Sequence, residues 1–345
     1  MSAESGNLHW GILGTGMIAT KFATDLPQSE SGILEATASR SAASAGAFAK
    51  KHGGRGIVGY DRMLDDPKVD AIYLSLPNGL HHEWAIRALK AGKHVLCEKP
   101  IARNAAEAEE MFAVAEQEGR VLIEAFMYRS HPMIQKLLRL VRTGAIGELR
   151  LLRLNFTFAR AASPDDARYD PEQAGGSLMD VGSYCVNFAR ALTGTDPLSL
   201  HATAHKHPLG VDDIAAGTMT FPGGVLATFT CGMTVASDPG SYIAGTEGLI
   251  AIDAFWFARD GFALKRADGT IEKYENPVAE PIYALEADAF AACVRGERPP
   301  WITKEDTLGN MRALDALRES AGIPVPGISP SEKPQRARPQ SGSIS

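Results

Sequence analysis

The feature that most constrains the fold of this chain is a glycine-rich turn close to its N-terminus. An apolar run at residues 8–13 is followed by Gly-Thr-Gly-Met-Ile-Ala at residues 14–19 and by a helix-like segment over residues 18–26. A strand, a G-x-G-x-x-A turn and a helix form the dinucleotide fingerprint, in which glycines let the backbone approach a pyrophosphate at the helix N-terminus. Because glycine turns between strands and helices are common, the prediction also depends on the segments after this helix. The expected cofactor contacts are Gly14, Thr15, Gly16, Met17 and Ile18.

Strand-like and helix-like segments alternate through the next hundred residues. Further strands are predicted at residues 33–39, 56–58, 69–75, 95–100 and 121–125. Helices are predicted between them at residues 41–51, 82–91 and 104–118. Six strands interleaved with helices predict an α/β fold whose first domain, residues 1–128, is a doubly wound parallel sheet of the Rossmann type that binds NADP.

The end of the second strand predicts which dinucleotide binds. Enzymes that use NAD usually carry an acidic residue there for the ribose 2′-hydroxyl, whereas an arginine accommodates the 2′-phosphate of NADP. The strand ends in Ser39-Arg40, and Glu35 lies four residues before Ser39, about 13 Å from that edge at ~3.3 Å per residue. We therefore expect NADP(H) rather than NAD, with Ser39 and Arg40 at the phosphate. The alternative is that Arg40 is a solvated residue at a helix start.

A lysine at the end of the fifth strand is the candidate catalytic cation. The run Val-Leu-Cys-Glu-Lys-Pro at residues 95–100 brings Lys99 to the carboxyl edge of the sheet, where ligands bind in open α/β folds. Pro100 restricts Lys99 to extended conformations and permits a cis bond. The alternative is that Lys99 is a surface lysine.

The fourth strand ends at the same edge, where we expect four residues to face the nicotinamide: Leu76, Pro77, Asn78 and His81. The alternative for His81 is an ordinary histidine at the start of a helix.

Beyond residue 128 the sequence pattern changes to strands separated by turns. Strands are predicted at residues 147–158, 198–205, 214–221 and 225–231, and helices at residues 282–295 and 304–320. They predict an α+β domain over residues 129–323, with an open, mainly antiparallel sheet that helices cover on one face. Its other face would expose apolar residues, so we expect a homodimer or homotetramer through this sheet. Residues 324–345, rich in Pro, Ser and basic residues, predict a flexible tail.

A glycine pair opens the segment that carries the second candidate group. Asp180 and Tyr184 follow Gly175-Gly176, and their spacing of four places both on one face of a helix. A carboxylate and a phenol in this arrangement suit acid–base chemistry on a hydroxyl. An ammonium such as Lys99 beside the phenol would lower its pKa from about 10. The alternative is a buried tyrosine whose hydroxyl bonds to Asp180.

Composition argues against several other classes of protein. The chain has 345 residues, 45% of them hydrophobic, and a formal net charge of -6 without a cluster of basic residues, which disfavours nucleic acid as a partner. The N-terminus shows no basic region followed by a long apolar stretch, so we expect a cytoplasmic protein without a membrane anchor. The cysteines at positions 97, 185, 231 and 293 lack metal-ligand spacing, so free buried thiols and no metal are expected.

Taken together, these motifs make the chain similar to the Gfo/Idh/MocA oxidoreductase family. The resemblance spans nearly the whole chain and implies a Rossmann domain, a second domain with an open sheet, NAD(P) between them, and sugar-like polyols or their ketones as substrates. Tyr184 resembles the tyrosine of the branch with glucose-fructose oxidoreductase, NADP-dependent xylose dehydrogenase and dihydrodiol dehydrogenase, and departs from the histidine of inositol dehydrogenases. The motifs are Gly14-Thr15-Gly16, Leu76-Pro77-Asn78 with His81, Glu98-Lys99-Pro100, Glu124 to Arg129, and Gly175-Gly176 with Asp180 and Tyr184.

The resemblance also implies roles for single residues. Tyr184 would exchange a proton with the substrate, Lys99 would lower the pKa of Tyr184 and stabilise the oxyanion, and Asp180 would hold Lys99 or the substrate. Contacts are further expected from Arg168 and Tyr283 to the substrate, and from Glu98, Lys99 and Arg129 to the cofactor.

The reaction that these roles imply is NADP(H)-dependent hydride transfer at a sugar or polyol carbon, an aldose C1 or a keto-sugar carbonyl. Three alternatives stay open: a 1,5-anhydrofructose or keto-sugar reductase, a trans-dihydrodiol dehydrogenase, and a non-catalytic NADP-sensing regulator. The sequence does not fix the substrate or the direction of the reaction.

Overall fold

Six parallel strands form the first sheet, with the order β3-β2-β1-β4-β5-β6. The computed structural model describes residues 6–236, 240–252, 256, 261–275 and 281–327. The strand order reverses between β1 and β4, where a crevice for a ligand opens in doubly wound sheets, and the predicted Rossmann architecture is confirmed. The strands are β1 Leu8–Leu13, β2 Gly32–Ser39, β3 Arg55–Val58, β4 Ala71–Leu74, β5 His94–Glu98 and β6 Leu122–Ala125.

The register of this sheet brings the predicted site segments to one edge. Leu13, the last residue of β1, pairs with Leu74 of β4, and Leu74 pairs with Cys97 of β5. The glycine turn, the residues after β4 and Lys99 therefore leave the sheet side by side. The connecting helices are α1 Met17–Asp25, α2 Ala42–His52, α3 Tyr60–Leu64, α4 His81–Lys90 and α5 Ala105–Gln117.

The second sheet has eight strands in the order β14-β13-β12-β11-β7-β10-β9-β8. Its neighbours are antiparallel except β7 and β10, which pair in parallel, so the predicted mainly antiparallel sheet is confirmed. A hairpin joins β9 to β10 through a turn in which Gly223 has φ +76°. The strands are β7 Leu149–Thr157, β8 Ser199–Lys206, β9 Asp212–Phe221, β10 Val225–Gly232, β11 Ser241–Gly245, β12 Gly248–Ile252, β13 Phe262–Arg266 and β14 Ile271–Tyr274.

Among the described residues, four α-helices accompany this sheet, and one of them packs back on the first sheet. Phe290 of α8 lies with its ring centroid 5.1 Å from that of Trp10 in β1, and Asp288 accepts hydrogen bonds from the hydroxyls of Ser29 and Ser31, both at 2.6 Å. The first sheet is therefore completed by a helix from the second half of the chain. The helices are α6 Pro132–Arg142, α7 Ser183–Thr193, α8 Ile282–Val294 and α9 Lys304–Ser320.

Two further predictions can be compared with the described residues. At the start of the predicted flexible tail, the carbonyl of Pro324 accepts a hydrogen bond from Arg318 at 2.6 Å and that of Pro326 accepts one from Asn104 at 2.7 Å; the flexible tail stays a prediction. Residues 328–345 lie outside the described part. The four cysteines are free and buried, as predicted. Among the described helices, none has both the length and the apolar character that a membrane crossing requires.

Candidate active site

A cavity of about 620 Å³ lies between the carboxyl edge of the first sheet and the second sheet. Residues from both halves of the chain line it, so neither half forms it alone. The first half contributes Gly16, Met17, Ile18, Lys21, Ser75, Leu76, Pro77, Asn78, Glu98, Lys99 and Met127. The second half contributes Phe156, Phe158, Ala159, Arg160, Asp166, Ala167, Arg168, Gly175, Asp180, Val181, Tyr184 and Tyr283.

The glycine turn forms a cradle at one end of this cavity. Gly14 has φ +107°, and a Cβ there would lie 3.1 Å from the carbonyl oxygen of Ser75. Gly16 precedes α1 without a side-chain cap, and nothing lies within 4 Å of the place of its Cβ. The uncapped N–H groups of α1 therefore face open space, an arrangement that fits a pyrophosphate. Contacts of Gly14, Thr15, Gly16, Met17 and Ile18 with the cofactor stay predictions.

The residues expected at the ribose end lie at the carboxyl end of β2. Ser39 is buried, and Arg40 is exposed beside the phenol of Tyr60, whose pKa burial raises despite this cation. Glu35 instead accepts hydrogen bonds from the Arg55 guanidinium, the shorter of 2.9 Å, and the His9 ring lies 3.3 Å from its other oxygen. The carboxylate that could argue for NAD is thus engaged within the sheet, away from the strand end.

Lys99 enters the cavity from the end of β5, after which the bond to Pro100 is cis. Its ammonium donates to the carbonyl oxygen of Asp180 at 2.7 Å and to Oδ1 of the same residue at 3.1 Å. Nε of Arg168 donates to the other carboxylate oxygen, Oδ2, at 2.9 Å. Burial opposes ionisation of Asp180, but Lys99 and Arg168 outweigh it and hold the pKa of this carboxyl below its ordinary value. The two predicted halves of the site therefore meet through an ionised carboxylate.

Tyr184 lies next to Lys99, but in a different arrangement from the one predicted. The Lys99 ammonium lies 4.8 Å from the centroid of the Tyr184 ring, and the Tyr184 hydroxyl donates to Sδ of Met127 at 3.3 Å. Burial, together with Tyr283 and Glu98, raises the pKa of the Tyr184 phenol well above its ordinary value. The prediction that Lys99 lowers this pKa is wrong here, because the ammonium is directed at Asp180 and covers the ring.

The local backbone also differs from the predicted helix. Residues 178–182 form a π-helical turn, and α7 begins at Ser183. Asp180 and Tyr184 therefore do not share one regular α-helical face. Ring centroids of Phe126, Phe156 and Trp256 lie 5.1–5.4 Å from that of Tyr184. This aromatic shell surrounds the phenol and keeps water from its ring.

Glu98 lines the cavity beside Lys99 but is directed into the protein. The Tyr73 hydroxyl donates to Oε1 of Glu98, and the backbone N–H of Lys99 donates to Oε2 at 3.3 Å. Burial raises the pKa of the Glu98 carboxyl. Leu76, Pro77, Asn78, Arg168 and Tyr283 also line the cavity, where the sequence analysis expected them.

His81 and Arg129 do not line the cavity in the described residues, and their contacts with the cofactor stay predictions. The two ring nitrogens of His81 lie 3.0 Å from the carbonyl oxygen of Pro100 and 2.8 Å from that of Leu76, and burial lowers its pKa to about 4. Arg129 is buried and donates to Oδ1 of Asn187 at 2.9 Å and to Oδ2 of Asp306 at 3.0 Å. Behind the cavity, His81 thus joins two backbone segments, and Arg129 joins two side chains.

Several cavity residues were missed by the sequence analysis. Asp166 stands two residues before Arg168, and Met127 stands in the motif after β6. Phe156 and Phe158 alternate at the end of β7, a period-two pattern that places both on one face of a strand. That pattern, and the charged pair Asp166-x-Arg168, are the signals that could have found them. The missed residues that line the cavity include Met127, Phe156, Phe158, Arg160 and Asp166.

Comparisons with known proteins cover both halves of the chain. Residues 8–126 match the model of an oxidoreductase family with an NAD-binding Rossmann fold, and residues 134–251 match a GFO/IDH/MocA C-terminal domain. The chain is 34% identical to a D-xylose 1-dehydrogenase (NADP(+)) of Haloferax volcanii, over 90% of this chain and 97% of the relative. It is 37% identical to trans-1,2-dihydrobenzene-1,2-diol dehydrogenase of Mus musculus, over 92% and 98%.

Solved structures agree in fold over the same extent. A 3-ketoreductase from Actinomadura kijaniata, crystallised with NADP and TDP-benzene, superimposes with a TM-score of 0.84 and is 31% identical over 91% of this chain and 98% of that one. An aldose-aldose oxidoreductase from Caulobacter crescentus, complexed with glycerol, gives 0.84 with 29% identity over 92% and 98%. The chain is thus a member of the Gfo/Idh/MocA oxidoreductase family, with its dinucleotide-binding and C-terminal domains both present.

Proposed function

We propose that this protein is an NADP(H)-dependent oxidoreductase that transfers hydride between the nicotinamide and a carbon of a sugar or polyol. The observation that carries the proposal is one cavity that joins the uncapped N-terminus of α1 to Lys99, Asp180 and Tyr184. Phosphates fit the first part, and a substrate hydroxyl or carbonyl fits the second. The names of the related xylose dehydrogenase, dihydrodiol dehydrogenase and 3-ketoreductase support this class of substrate.

The side chains of the site have separate tasks in this reaction. The bound nicotinamide supplies or accepts the hydride. The Lys99 ammonium, fixed by Asp180, orients the substrate oxygen and stabilises negative charge on it. Within the described part of the chain, the Tyr184 hydroxyl donates to a thioether, a weak acceptor. A substrate oxygen can therefore replace the thioether and exchange a proton with the phenol. Arg168 and Tyr283 border the substrate.

Tyr184 suits the acid that reduction of a carbonyl requires. Burial keeps the phenol protonated, and a protonated phenol can donate to a new alkoxide, whereas oxidation of an alcohol requires the conjugate base. A keto sugar, reduced to an alcohol, and an aldose, oxidised at C1, are both candidate substrates, and a substrate panel distinguishes them.

NADP(H) rather than NAD is proposed from the end of β2. Arg40 is exposed there, and Ser39 precedes it. Glu35, the residue that could bind a ribose hydroxyl, is occupied by Arg55. The xylose dehydrogenase relative uses NADP(+) by its name, and the 3-ketoreductase was crystallised with NADP.

We also propose that copies of the protein associate through the second sheet and that the protein is cytoplasmic. The outward side of the second sheet carries Leu226, which is 51% exposed, and a partly exposed Tyr242, so this face supports a homodimer or homotetramer. Four buried thiols that form no disulfide suit a reducing compartment. Light scattering on the purified protein and on Leu226→Glu tests the interface: an unchanged oligomer in the variant would contradict it.

A substrate panel tests the proposed function. Keto sugars, anhydro-keto sugars, aldoses and trans-dihydrodiols are assayed with NADPH or NADP⁺ by absorbance of the reduced nicotinamide. We expect turnover with at least one carbonyl sugar and a higher kcat/KM with NADPH than with NADH. Binding of NADPH without turnover of any panel member would favour the alternative of a sensing regulator.

A further inference from the structure

A row of alternating charges extends along the cavity wall beyond the catalytic pair. Asp180 contacts Lys99 at 3.1 Å and Arg168 at 2.9 Å. Nη1 of Arg168 then donates to Oδ1 of Asp166 at 3.2 Å, and Nη2 of Arg160 lies 3.6 Å from Oδ2 of Asp166. All five side chains line the cavity. Arg168 is therefore placed between two carboxylates, of which only Asp180 touches Lys99.

Asp166 holds both the backbone and the side chain of Arg168. Its Oδ1 accepts the backbone N–H of Arg168 at 3.1 Å, which caps a short 3₁₀ turn, as well as the guanidinium. The Asp166 side chain is 13% exposed, whereas that of Arg160 is 50% exposed. Its Oδ2 is buried and makes no hydrogen bond in the described residues. The negative charge of Asp166 is therefore directed mainly at Arg168.

The glycine pair brings this turn against the segment that carries Asp180. A Cβ on Gly175 would lie 2.5 Å from the carbonyl oxygen of Arg168, a distance that no side chain tolerates. The N–H of Gly176 donates to that same oxygen at 2.9 Å. The backbone of Arg168 and the segment that leads into the π-helical turn are thus in direct contact, which explains Gly175. Gly176 has φ +111°, and a Cβ there would collide with the Asp212 carboxylate.

We infer that Asp166 is a positioning residue: by fixing Arg168 it keeps the Asp180 carboxylate shared between Arg168 and Lys99. Without the charge of Asp166, Arg168 has Asp180 as its only close carboxylate and draws it away from Lys99. The ammonium of Lys99 then loses the partner that fixes its direction. This inference rests on the proposed function, because its consequence is measured on the reaction at Lys99.

Asp166→Asn tests the inference, since asparagine keeps the capping oxygen and removes only the charge. We expect kcat to fall by about tenfold to hundredfold, with KM changed much less and thermal stability unchanged. Asp170→Asn is the matched control. Asp170 caps the next 3₁₀ turn by accepting the N–H of Glu172 at 2.9 Å and pairs with no arginine in the part of the chain that the structure describes. The control should keep wild-type kcat.

A double-mutant cycle separates positioning from a general effect. If Asp166 acts through Arg168, Asp166→Asn causes no further loss of kcat in an Arg168→Gln background. An unchanged kcat in Asp166→Asn, or an equal loss in both backgrounds, would overturn the inference. A wild type that turns over no member of the panel contradicts the proposed function instead. In that case a crystal structure of Asp166→Asn still decides: an unchanged contact of Lys99 with Asp180 overturns the positioning role.

Discussion

Polar residues from the family motifs occupy two regions that differ in kind. On the cavity wall, the Asp180 carboxylate accepts hydrogen bonds from the side chains of Lys99 and Arg168, and the Asp180 carbonyl oxygen accepts another from Lys99. In the layer behind the cavity, His81 is placed between the backbone carbonyls of Leu76 and Pro100, which follow two strand ends. The carboxylate pairs can exchange partners when a substrate arrives, whereas the His81 ring cannot leave its two carbonyls without moving the backbone.

The position of a residue in a family motif therefore does not determine its role. Arg129 and Glu124 belong to the same short segment as Met127, yet only Met127 reaches the cavity. Oε1 of Glu124 accepts a hydrogen bond from the N–H of Ile101 at 3.0 Å. This buried carboxyl therefore holds the backbone that follows Lys99. We expect changes on the cavity wall to alter turnover, and changes in the layer behind it to alter stability.

Lys99→Met should give the largest effect. The variant removes the cation that orients the substrate oxygen, so we expect kcat to fall by ~10²–10⁴ while NADPH binding and thermal stability change little. Steady-state kinetics and NADPH fluorescence titration measure the two effects separately. Turnover within tenfold of wild type would place the catalytic cation elsewhere.

Arg129→Met tests the layer behind the cavity. The variant removes a buried cation from Asp306 and Asn187, which keep Arg190 at 2.7 Å and the Tyr128 hydroxyl at 2.5 Å. We therefore expect a loss of about 1–3 kcal/mol of unfolding free energy. Urea unfolding measures the loss, and kcat per folded molecule should remain close to wild type. A stable variant with reduced NADPH affinity would instead place Arg129 at the cofactor.

Tyr184→Phe removes the proton donor but keeps the aromatic packing. We expect kcat to fall by about 10², with unchanged NADPH binding, because the ring still contacts Phe126, Phe156 and Trp256. NADPH fluorescence titration provides the control, since a folded variant with an intact cofactor site should keep wild-type affinity. Activity equal to wild type would exclude Tyr184 as the acid.

Glu124→Gln should change the pH dependence of stability rather than turnover. Burial raises the pKa of Glu124 from 4.5 to about 8, so the folded protein holds a proton that the unfolded chain releases at lower pH. The free energy of unfolding therefore decreases as pH rises from about 4.5 to 8, by at most about 1.4 kcal/mol per unit, and then levels off. The glutamine variant should lack this slope in urea unfolding between pH 5 and 9. Parallel curves for both proteins would contradict the assignment.

Arg40→Ala should give the smallest change. We expect the ratio of kcat/KM with NADPH to that with NADH to fall about tenfold, the loss of roughly one charge-assisted hydrogen bond to the 2′-phosphate. Lys50→Ala, on the exposed side of α2, is the control for charge alone. An unchanged ratio in Arg40→Ala would remove Arg40 from the phosphate site.

The first domain could be predicted from sequence because its strands are short apolar runs between helices with strong caps. Ser41 and Asn104 accept backbone N–H groups at the starts of α2 and α5. The last four strands were missed, since Ser241–Gly245 and the three after it are short and partly exposed. Helix α6 was missed although Ile134, Leu137, Leu138 and Val141 have helical spacing.

The sequence predicted which residues lie at the site better than it predicted their charge interactions. That Lys99 and Asp180 meet follows from sheet topology and from the glycine pair. The Lys99 ammonium can bind either the Asp180 carboxylate or the Tyr184 phenol. Sequence spacing does not indicate which of the two it binds. The roles of His81 and Arg129 depend on side-chain direction at strand ends, which the motif leaves undetermined.

The return of α8 to the first sheet limits how this protein can be divided or recombined. Phe290 packs on Trp10, and Asp288 binds the residues that precede β2. A gene fragment that stops near residue 128 would encode a nucleotide-binding half with an apolar surface left bare. Grafting a different substrate half onto this cofactor half should therefore succeed only when residues 282–294 are retained with the recipient, so the modular unit is discontinuous in sequence.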